Sequence, residues 1–252
     1  MSLDGLRGRV VVVTGASSGL GEQLARSLVA AGALPVLAAR RGERLAALAA
    51  ELGGGVHAVT CDVTSESDRR RLVESVLEQH GRIDGLVNNA GMGAAGPALR
   101  TPVETFSRVL ELNLVAPYSL SCLAAARMRE AGGGAIVNVA SVMGLRSIAE
   151  IADASYVASK AGLIGLTREL GSQWGRYGIR VNAVAPGFFA SEMTSELGAD
   201  ADSFPEWLTA QIPLGRAGRA GELDEAILYL LGPASSFVTG QVLTVDGGLA
   251  TR

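Results

Sequence analysis

The length, composition and charge of this chain exclude several classes of protein. Its 252 residues are 48% hydrophobic and 19% charged, which is typical of a globular protein and excludes a highly charged disordered polymer. The 22 Lys and Arg residues are outnumbered by 25 Asp and Glu residues, so the chain lacks the basic character of duplex-binding proteins. Its 33 glycines show no Gly-X-Y period, which excludes collagen and indicates many tight turns.

The sequence favours a cytoplasmic protein. Its first residues show no basic segment followed by an apolar one, so no secretory signal is predicted. The longest apolar stretch, 112–128, contains Asn113 and Pro117 and falls short of the ~20 apolar residues that a membrane helix needs. Cys61 and Cys122 have no metal-ligand spacing and are predicted to be reduced packing residues. We therefore expect no membrane association, no nucleic-acid partner and no bound metal.

Short apolar runs that are typical of buried strands alternate with longer segments of helical periodicity. Strands are predicted at 9–13, 34–39, 56–59, 83–87, 135–140, 179–185 and 242–245, and helices at 19–31, 43–52, 66–79, 103–129, 156–176 and 221–231. This alternation requires crossover connections and gives a mostly parallel sheet with helices on both faces. We expect one doubly wound α/β domain over residues 1–252 with about seven strands. Two domains divided near 132–134 are the alternative.

A glycine-rich turn, residues 14–21, lies between the first predicted strand and the first predicted helix. There, glycines allow a tight turn and bring backbone N–H groups close to a pyrophosphate at the helix N-terminus. The residues expected to bind it are Gly15, Ser17, Ser18, Gly19, Leu20 and Gly21. A turn without a ligand is the alternative, but the strand–turn–helix context favours a phosphate site.

Tyr156 and Lys160 open a long helical segment. Residues four apart share a helix face, so the phenol and the ammonium are predicted to lie side by side. The ammonium would lower the phenol pKa from about 10 and make Tyr156 an acid–base catalyst. Ser141 follows the predicted strand 135–140, where its hydroxyl would stabilise charge on a substrate oxygen. Asn113 lies in an apolar helix, where an amide needs a partner.

The G-x-x-x-G-x-G spacing of the turn resembles that of the short-chain dehydrogenase/reductase family, particularly its 3-oxoacyl-[acyl-carrier-protein] reductase-like members. The resemblance extends along nearly the whole chain, to Asp246-Gly247-Gly248. It implies a Rossmann fold. It also implies a catalytic tetrad of Asn113, Ser141, Tyr156 and Lys160, in which Asn113 helps to hold a water of the proton relay and Lys160 also bonds the nicotinamide ribose.

The resemblance also implies a cofactor. Ala39 stands where NAD-dependent members have an acidic residue, and Arg40 follows it as in members that prefer NADP. The guanidinium groups of Arg40 and Arg41 suit a 2′-phosphate, and no nearby carboxylate is expected to repel it. NADP(H) is therefore expected over NAD(H), with two merely solvated arginines as the alternative. The family's other cofactor contacts correspond to Asp62, Val63, Asn89, Ala90, Gly91, Tyr156, Lys160, Pro186, Gly187, Phe189 and Ser191.

The signals for substrate recognition are weaker. Glu150 and Asp153 would disfavour an anionic substrate if they faced the pocket, and Asp153 or Ser155 is alternatively a helix cap. Segment 191–213 is expected to form an apolar substrate lid that includes Trp207. A packing role for Trp207 is the alternative.

Other catalytic classes find little support in the sequence. His57 and His80 have no partner at hydrolase spacing and are expected at the surface, and no nucleophile elbow or metal-ligand cluster is present. The resemblance implies a homotetramer formed through the helices 103–129 and 156–176. Small residues that would allow close packing there are Ala124, Ala125, Ala126, Gly162, Gly165 and Gly171.

Taken together, these features predict an NADP(H)-dependent oxidoreductase that interconverts a ketone and a secondary alcohol, with Tyr156 as the acid/base. An NAD(P)H-binding sensor protein with little turnover is the alternative from another class. An epimerase or dehydratase on the same scaffold is disfavoured because such enzymes generally have longer chains. A Rossmann methyltransferase is disfavoured because it would need an acidic residue after the second strand.

Overall fold

The structure is a computed structural model that describes residues 3–148, 150–190, 192–195 and 204–251. Within these residues, seven strands form one parallel sheet in the order β3-β2-β1-β4-β5-β6-β7. The strands are β1 (Val10–Thr14), β2 (Leu34–Ala39), β3 (His57–Thr60), β4 (Gly85–Asn88), β5 (Gly134–Val139), β6 (Ile179–Pro186) and β7 (Val242–Val245). They confirm the predicted fold class, and their bounds differ by at most two residues from those predicted.

The helices follow the predicted alternation. They are α1 (Gly19–Ala30), α2 (Gly42–Leu52), α3 (Glu66–His80), α4 (Val103–Leu110), α5 (Ala116–Glu130), α6 (Ala154–Trp174), α7 (Glu192–Ser195), α8 (Glu206–Thr209) and α9 (Glu222–Leu231). Between α4 and α5, Glu111–Val115 forms a π-helical turn. Single π-turns inside α-helices occur frequently at functional sites.

Helices cover both faces of the sheet, which explains why its strands are apolar without alternation. In β1, Val11 and Val13 pack in one apolar layer with α1, α2 and α9, whereas Val10 and Val12 pack in the other with α3, α5 and α6. Successive side chains of a strand point to opposite faces, so each central strand contributes to two cores. The carboxyl edge of the sheet is therefore held in place by side chains packed on both faces of the sheet.

The strand order reverses between β1 and β4, which pair with each other. The chain leaves β1 through α1 on one face of the sheet and leaves β4 through α4 and α5 on the other. Loops that diverge in this way open a crevice beyond the carboxyl ends of the strands, where doubly wound folds bind ligands.

The continuous helical segment Val103–Glu130 is long and apolar enough to cross a membrane by length and composition alone. This differs from the expectation that its apolar stretch is too short. In the fold, 44% of its most apolar window is buried, and Leu120, Ala124 and Met128 pack in the layer shared with α3 and α6. Core packing therefore accounts for part of the apolar character of this helix.

His57 and His80, which were expected at the surface, lie half-buried against each other. Their ring centroids are 5.8 Å apart, and Ser75 Oγ lies 3.3 Å from His57 Nε2. The expectation is wrong because α3 ends with His80 over the start of β3. Burial lowers the pKa of both histidines, and the charge of His80 lowers that of His57 further.

Both cysteines are free thiols, as predicted. Cys61 is buried just after β3, and burial is the main cause that raises the pKa of its thiol to about 11. A thiol with so high a pKa is uncharged at neutral pH and unreactive, which agrees with a packing role.

Candidate active site

A cleft of about 1550 Å³ follows the carboxyl edge of the sheet. The predicted site residues that line it are Gly15, Ser17, Ser18, Gly19, Leu20, Arg40, Arg41, Asp62, Val63, Asn89, Ala90, Gly91, Ser141, Tyr156, Lys160, Pro186, Gly187 and Phe189. Gly21 and Asn113 are not part of this lining, and Ser191 lies outside the described residues. The fold thus brings segments from both halves of the chain to one edge.

Glycine is required in the turn after β1. Gly15 has a φ of 67°, in the left-handed region that favours glycine, and a Cβ there would lie 2.9 Å from Ala90 Cα. Gly21, which was predicted to bind the cofactor, instead lies behind the turn, where a Cβ would collide with the carbonyl oxygen of Gly15. The close contact between α1 and the turn therefore requires a glycine at position 21, and its role in cofactor binding stays a prediction.

Two asparagines hold the end of β4 in place. The Asn88 amide donates to Asn138 Oδ1 at 2.8 Å and to Ser121 Oγ at 2.9 Å, so it braces the sheet. The Asn89 amide donates to the carbonyl oxygen of Thr14 at 2.9 Å. The Asn89 side chain therefore also braces the sheet, although the residue lines the cleft.

Arg41 is tied to the phosphate turn. Its Nε donates to Ser17 Oγ at 3.0 Å and its Nη2 donates to Ser18 Oγ, while Arg40 is exposed at the cleft. Glu192 of α7 accepts hydrogen bonds from Arg41 Nη1 at 3.0 and 3.1 Å and from Ser18 Oγ at 3.0 Å. The expectation of no nearby carboxylate is wrong because the fold brings Glu192 here from 151 residues along the chain.

Tyr156 lies in the first turn of α6. Asp153 caps this helix, since its Oδ1 accepts hydrogen bonds from Tyr156 N at 2.9 Å and from Ser155 Oγ at 2.7 Å. The side chain of Ser141 lies close enough to the Tyr156 hydroxyl to lower the pKa of Tyr156, and Ser141 Oγ accepts a hydrogen bond from Met143 N at 3.1 Å. A substrate oxygen at this point of the cleft would meet both hydroxyls.

Lys160 is buried one helical turn beyond Tyr156. Its Nζ donates to the carbonyl oxygen of Val139 at 2.7 Å and lies 5.5 Å from the centroid of the Tyr156 ring, as the helical spacing predicts. Gly144 packs directly on this part of α6, where a Cβ would lie 2.8 Å from the backbone carbonyl carbon of Lys160. This close approach holds the turn after Ser141 against the helix.

Asn113 is fully buried in the π-helical turn. Its Oδ1 accepts a hydrogen bond from Met92 N at 2.9 Å, and its Nδ2 donates to the carbonyl oxygen of Met92 at 2.8 Å and to Ser159 Oγ at 3.0 Å. The amide therefore has the partners that its burial requires. Asn113 does not line the cleft. It lies next to Gly91, where a Cβ would be 3.3 Å from Asn113 Oδ1 and 3.4 Å from Lys160 Nζ.

Burial dominates the titration of the tyrosine and the lysine. Burial raises the pKa of Tyr156, the interaction with the Ser141 side chain lowers it, and the charge of Asp153 raises it. Burial lowers the pKa of Lys160 to about 8. The expected lowering of the Tyr156 pKa is not found, because loss of hydration disfavours the phenolate. An ammonium with a pKa of about 8 is still charged at neutral pH.

Apolar side chains form part of the cleft lining, alongside polar ones that include Ser107, Arg108 and Glu111. Met143, Ile151 and Phe188 line the cleft, and Met143 and Phe188 belong to a buried cluster with Leu208 and Ile212. An apolar wall of this kind matches an apolar portion of a small-molecule ligand.

The two acidic residues before Tyr156 have different roles. Asp153 lines the cleft, but both of its oxygens have hydrogen-bond donors, including Ala94 N at 2.6 Å from Oδ2. Glu150 is exposed and does not line the cleft. The helix-cap interpretation of Asp153 is therefore confirmed.

Trp207, which was expected over the pocket, is 40% exposed and does not line the cleft. Its neighbour Leu208 is fully buried and joins the apolar cluster at Phe188. Adjacent residues of a short helix point in different directions, so α8 can turn only one of these two side chains inward.

Sequence reasoning missed three contributors to this site: Met92, Gly144 and Glu192. Each acts through contact with a segment that is distant along the chain, so no local pattern marks it. A glycine shortly after the predicted catalytic Ser141 was the one available signal for close packing.

Comparisons with known proteins agree with this geometry. A family model described as enoyl-(acyl carrier protein) reductase matches residues 15–250. A short-chain type dehydrogenase/reductase from Mycobacterium marinum has a crystal structure that matches with a TM-score of 0.94 at 33% identity, covering 100% of this chain and 99% of that one. This chain is a short-chain dehydrogenase/reductase. As a member of that family, it is an NAD(P)-dependent oxidoreductase.

Relatives of this short-chain dehydrogenase/reductase differ in their substrates. The 3-oxoacyl-[acyl-carrier-protein] reductase FabG of Thermotoga maritima is 37% identical over 247 residues, which cover 97% of this chain and 98% of the relative. The crystal structure of a gluconate 5-dehydrogenase from Burkholderia cenocepacia in complex with NADP and tartrate has a TM-score of 0.92 at 35% identity and covers 100% of both chains. These matches show the family of this chain, but the names of the two relatives indicate different substrates.

The residues of this short-chain dehydrogenase/reductase fit a dinucleotide. A Cβ on Gly15 would lie against Ala90, and a Cβ on Gly91 would lie close to Asn113 and Lys160. Side chains at these two glycines would therefore fill the space between the turn and the catalytic residues. Backbone N–H groups at the start of α1 and the hydroxyls of Ser17 and Ser18 supply donors for phosphate oxygens.

Proposed function

We propose that this short-chain dehydrogenase/reductase uses NADP(H) to interconvert a ketone and a secondary alcohol on a predominantly apolar substrate. The observation that carries the proposal is the meeting of Ser141, Tyr156 and Lys160 at the cleft. Two hydroxyls that face one point, beside a buried ammonium, suit an oxygen that gains and loses a proton.

The cofactor, when bound, supplies or accepts the hydride. In the direction of reduction, Tyr156 donates its phenolic proton to the substrate oxygen, and Ser141 donates a hydrogen bond to the same oxygen. In oxidation, Tyr156 removes the proton from the alcohol. The Lys160 ammonium stabilises the phenolate and bonds the nicotinamide ribose. Asn113 holds Met92 in place and supports a water of the proton relay.

The cofactor is proposed to lie along the predicted binding residues. Its pyrophosphate lies on residues 15–20 at the start of α1, its 2′-phosphate lies near Arg40 and Arg41, and its adenine lies near Asp62 and Val63. The other proposed contacts are Asn89, Ala90, Gly91, Tyr156, Lys160, Pro186, Gly187, Phe189 and Ser191. The NADP complex of the Burkholderia relative supports this choice. A kcat/KM for NADH equal to or above that for NADPH would contradict it.

The apolar wall supports the proposed substrate class. A polyol bound against Met143, Ile151 and Phe188 would lose water from its hydroxyls without gaining partners from these side chains. An apolar ketone, including a 3-oxoacyl thioester, would gain from the same contacts. The name of the Thermotoga relative fits this substrate class better than that of the gluconate dehydrogenase.

A substrate panel tests the reaction. It contains apolar ketones, 3-oxoacyl thioesters, gluconate, sugar alcohols and an enoyl thioester, and turnover is followed by the absorbance of the reduced nicotinamide. We expect the highest kcat/KM with an apolar ketone or its alcohol and none with the enoyl thioester. Tight NADPH binding without turnover on any carbonyl would favour the sensor alternative.

Tyr156→Phe tests the acid–base role. We expect kcat to fall by about two orders of magnitude or more, because the ring packing is kept while the proton donor is lost. The dissociation constant for NADPH should change little. Tyr177→Phe, at a half-exposed ring beside Arg129 and Arg176, is the matched control. Activity of Tyr156→Phe within a few-fold of wild type would contradict the role.

Three further features are proposed with this function. The protein is a cytoplasmic enzyme without a nucleic-acid or membrane partner, and it forms a homotetramer through α4–α5 and α6. Exposed apolar residues on these helices, Val115 and Tyr118, support such an interface. Segment 191–213 acts as a substrate lid within a single domain, and the inward position of Leu208 and Ile212 supports this role.

A further inference from the structure

The mouth of the cleft carries an ion-pair cluster between two distant segments. Glu192 of α7 pairs with Arg41 at the start of α2 and, through Oε1, with Arg44 Nη1 at 2.7 Å. Ser18 of the phosphate turn donates to the same carboxylate at 3.0 Å. We call this group of residues, Ser18, Arg41, Arg44 and Glu192, the clasp.

The clasp has the chemistry of an anion site that already holds an anion. Two guanidinium groups and a hydroxyl converge on one carboxylate, which is the donor set that phosphate oxygens also prefer. The same bonds, led by that from Arg44, lower the pKa of Glu192 to about 2, so the carboxylate stays charged at neutral pH. Arg41 is also the residue proposed to meet the 2′-phosphate of the cofactor. Both anions therefore require the same cation.

We propose that Glu192 is a specificity-determining residue that competes with the 2′-phosphate of the cofactor for Arg41 and Arg44. This inference rests on the proposed use of NADP(H). A phosphate carries more charge and more acceptor oxygens than a carboxylate, so it displaces Glu192 and takes over the guanidinium groups. A cofactor without the 2′-phosphate leaves the clasp intact. Glu192 thus weakens the binding of NADP(H) but not that of NAD(H). It thereby reduces the difference between the affinities for the two cofactors.

Binding of two nucleotide fragments tests this without catalysis. Adenosine 2′,5′-diphosphate and 5′-AMP are titrated calorimetrically into wild type, Glu192→Gln and Glu206→Gln. Glu206 is exposed on α8, in the same part of the chain, and does not line the cleft, so it controls for the lost negative charge. Circular dichroism confirms that each variant is folded.

Glu192→Gln is expected to bind the 2′,5′-diphosphate about fivefold to tenfold more tightly and to bind 5′-AMP within about twofold of wild type. Glu206→Gln should change neither. Unchanged binding of the 2′,5′-diphosphate by Glu192→Gln, or an equal gain for both nucleotides, would overturn the competition.

Failure of the two proposals can be told apart. If wild type prefers the 2′,5′-diphosphate and Glu192→Gln changes nothing, the clasp proposal fails and the NADP(H) proposal stands. If wild type shows no preference and Glu192→Gln creates one, the competition is supported and the NADP(H) preference of the natural protein is contradicted.

Discussion

At the residue scale, Asp153 connects two segments of the candidate active site. One oxygen accepts hydrogen bonds from Tyr156 N and Ser155 Oγ at the start of α6, and the other accepts one from Ala94 N after β4. Its charge also raises the pKa of Tyr156. One buried carboxylate therefore affects both the position and the proton affinity of the proposed acid–base residue.

Asp153→Asn is expected to shift the pH profile of alcohol oxidation toward lower pH. Oxidation requires the phenolate of Tyr156, and removing the neighbouring negative charge lowers the pKa of that phenol. Asparagine is also a good N-cap, so α6 should keep its start. The measurement is kcat/KM against pH. Glu150→Gln removes an exposed charge from the same loop and should leave the profile in place, whereas an alkaline shift for Asp153→Asn would contradict the argument.

At the scale of elements, the proposed catalytic residues lie on or beside two elements in close contact, α6 and the short turn Val142–Gly144. That turn follows Ser141, and Gly144 lets it approach the backbone of Lys160 and Ala161 to a distance that a side chain would not allow. We expect this contact to influence the position of the Ser141 hydroxyl relative to Tyr156. A second close approach, of Gly171 to Gly240, holds the far part of α6 against the loop before β7.

Gly144→Ala is expected to lower kcat/KM about tenfold or more and the free energy of unfolding by about 1–3 kcal/mol. The added methyl group would overlap the backbone of α6. Because this overpacking forces the backbone to shift, it would cost stability and misplace the proposed catalytic residues. Gly175→Ala is the control, because a Cβ there meets nothing within 4 Å and the backbone is helical with a φ of −52°. Wild-type activity in Gly144→Ala would show that the contact is dispensable.

The contact of α3 with β3 predicts a pH-dependent stability. Burial lowers the pKa of His57 and His80, so the folded protein takes up protons less readily than the unfolded chain, whose histidines titrate near pH ~6.5. The histidines should therefore contribute fully to the free energy of unfolding above this pH. This contribution should be lost as the pH drops through it.

Urea unfolding of wild type and of the double variant His57→Gln, His80→Gln measures this effect. Between about pH 7.5 and 5.5, the variant should lose less stability than wild type. An equal loss in both proteins would place the pH dependence in other groups.

At the scale of the whole molecule, the small residues of the long helices divide into two groups. A Cβ on Gly162 would meet the side chain of Leu114, and one on Gly171 would meet the backbone of Gly240, so these two serve packing within the subunit. A Cβ on Gly165, which is exposed on α6, would meet nothing within 4 Å. Gly165 is therefore the position at which a second subunit could approach closely.

Gly165→Glu is expected to dissociate the proposed tetramer into smaller species while each subunit stays folded. A buried, unpaired carboxylate at a close helix contact is costly. Size-exclusion chromatography with light scattering measures the mass, and circular dichroism checks the fold. Ala50→Glu adds the same charge at an exposed site on α2 and should keep the mass of wild type. An unchanged mass for Gly165→Glu would remove this helix face from the interface.

Local patterns in the sequence accounted for much of the site. The placement of Tyr156 beside Lys160 follows from helical spacing, and that of Gly15 follows from the strand–turn–helix context. The close packing of Gly21 against Gly15 was not predicted, because a glycine in a phosphate turn can serve a ligand or helix packing and the sequence does not distinguish the two uses. The exposed position of Trp207 could not be predicted, because the sequence does not show which face of a short helix is turned inward.

The sequence by itself determined the order of strands and helices, the parallel sheet and the turn that suits a dinucleotide, because periodicity and turn chemistry act over a few residues. The tertiary structure alone decided that Glu192 meets Arg41 and that Asn113 fastens Met92, since these contacts join distant segments. It also decided that the pKa of Tyr156 is raised. Loss of water from a side chain depends on everything packed around it, and that exists only once the chain has folded.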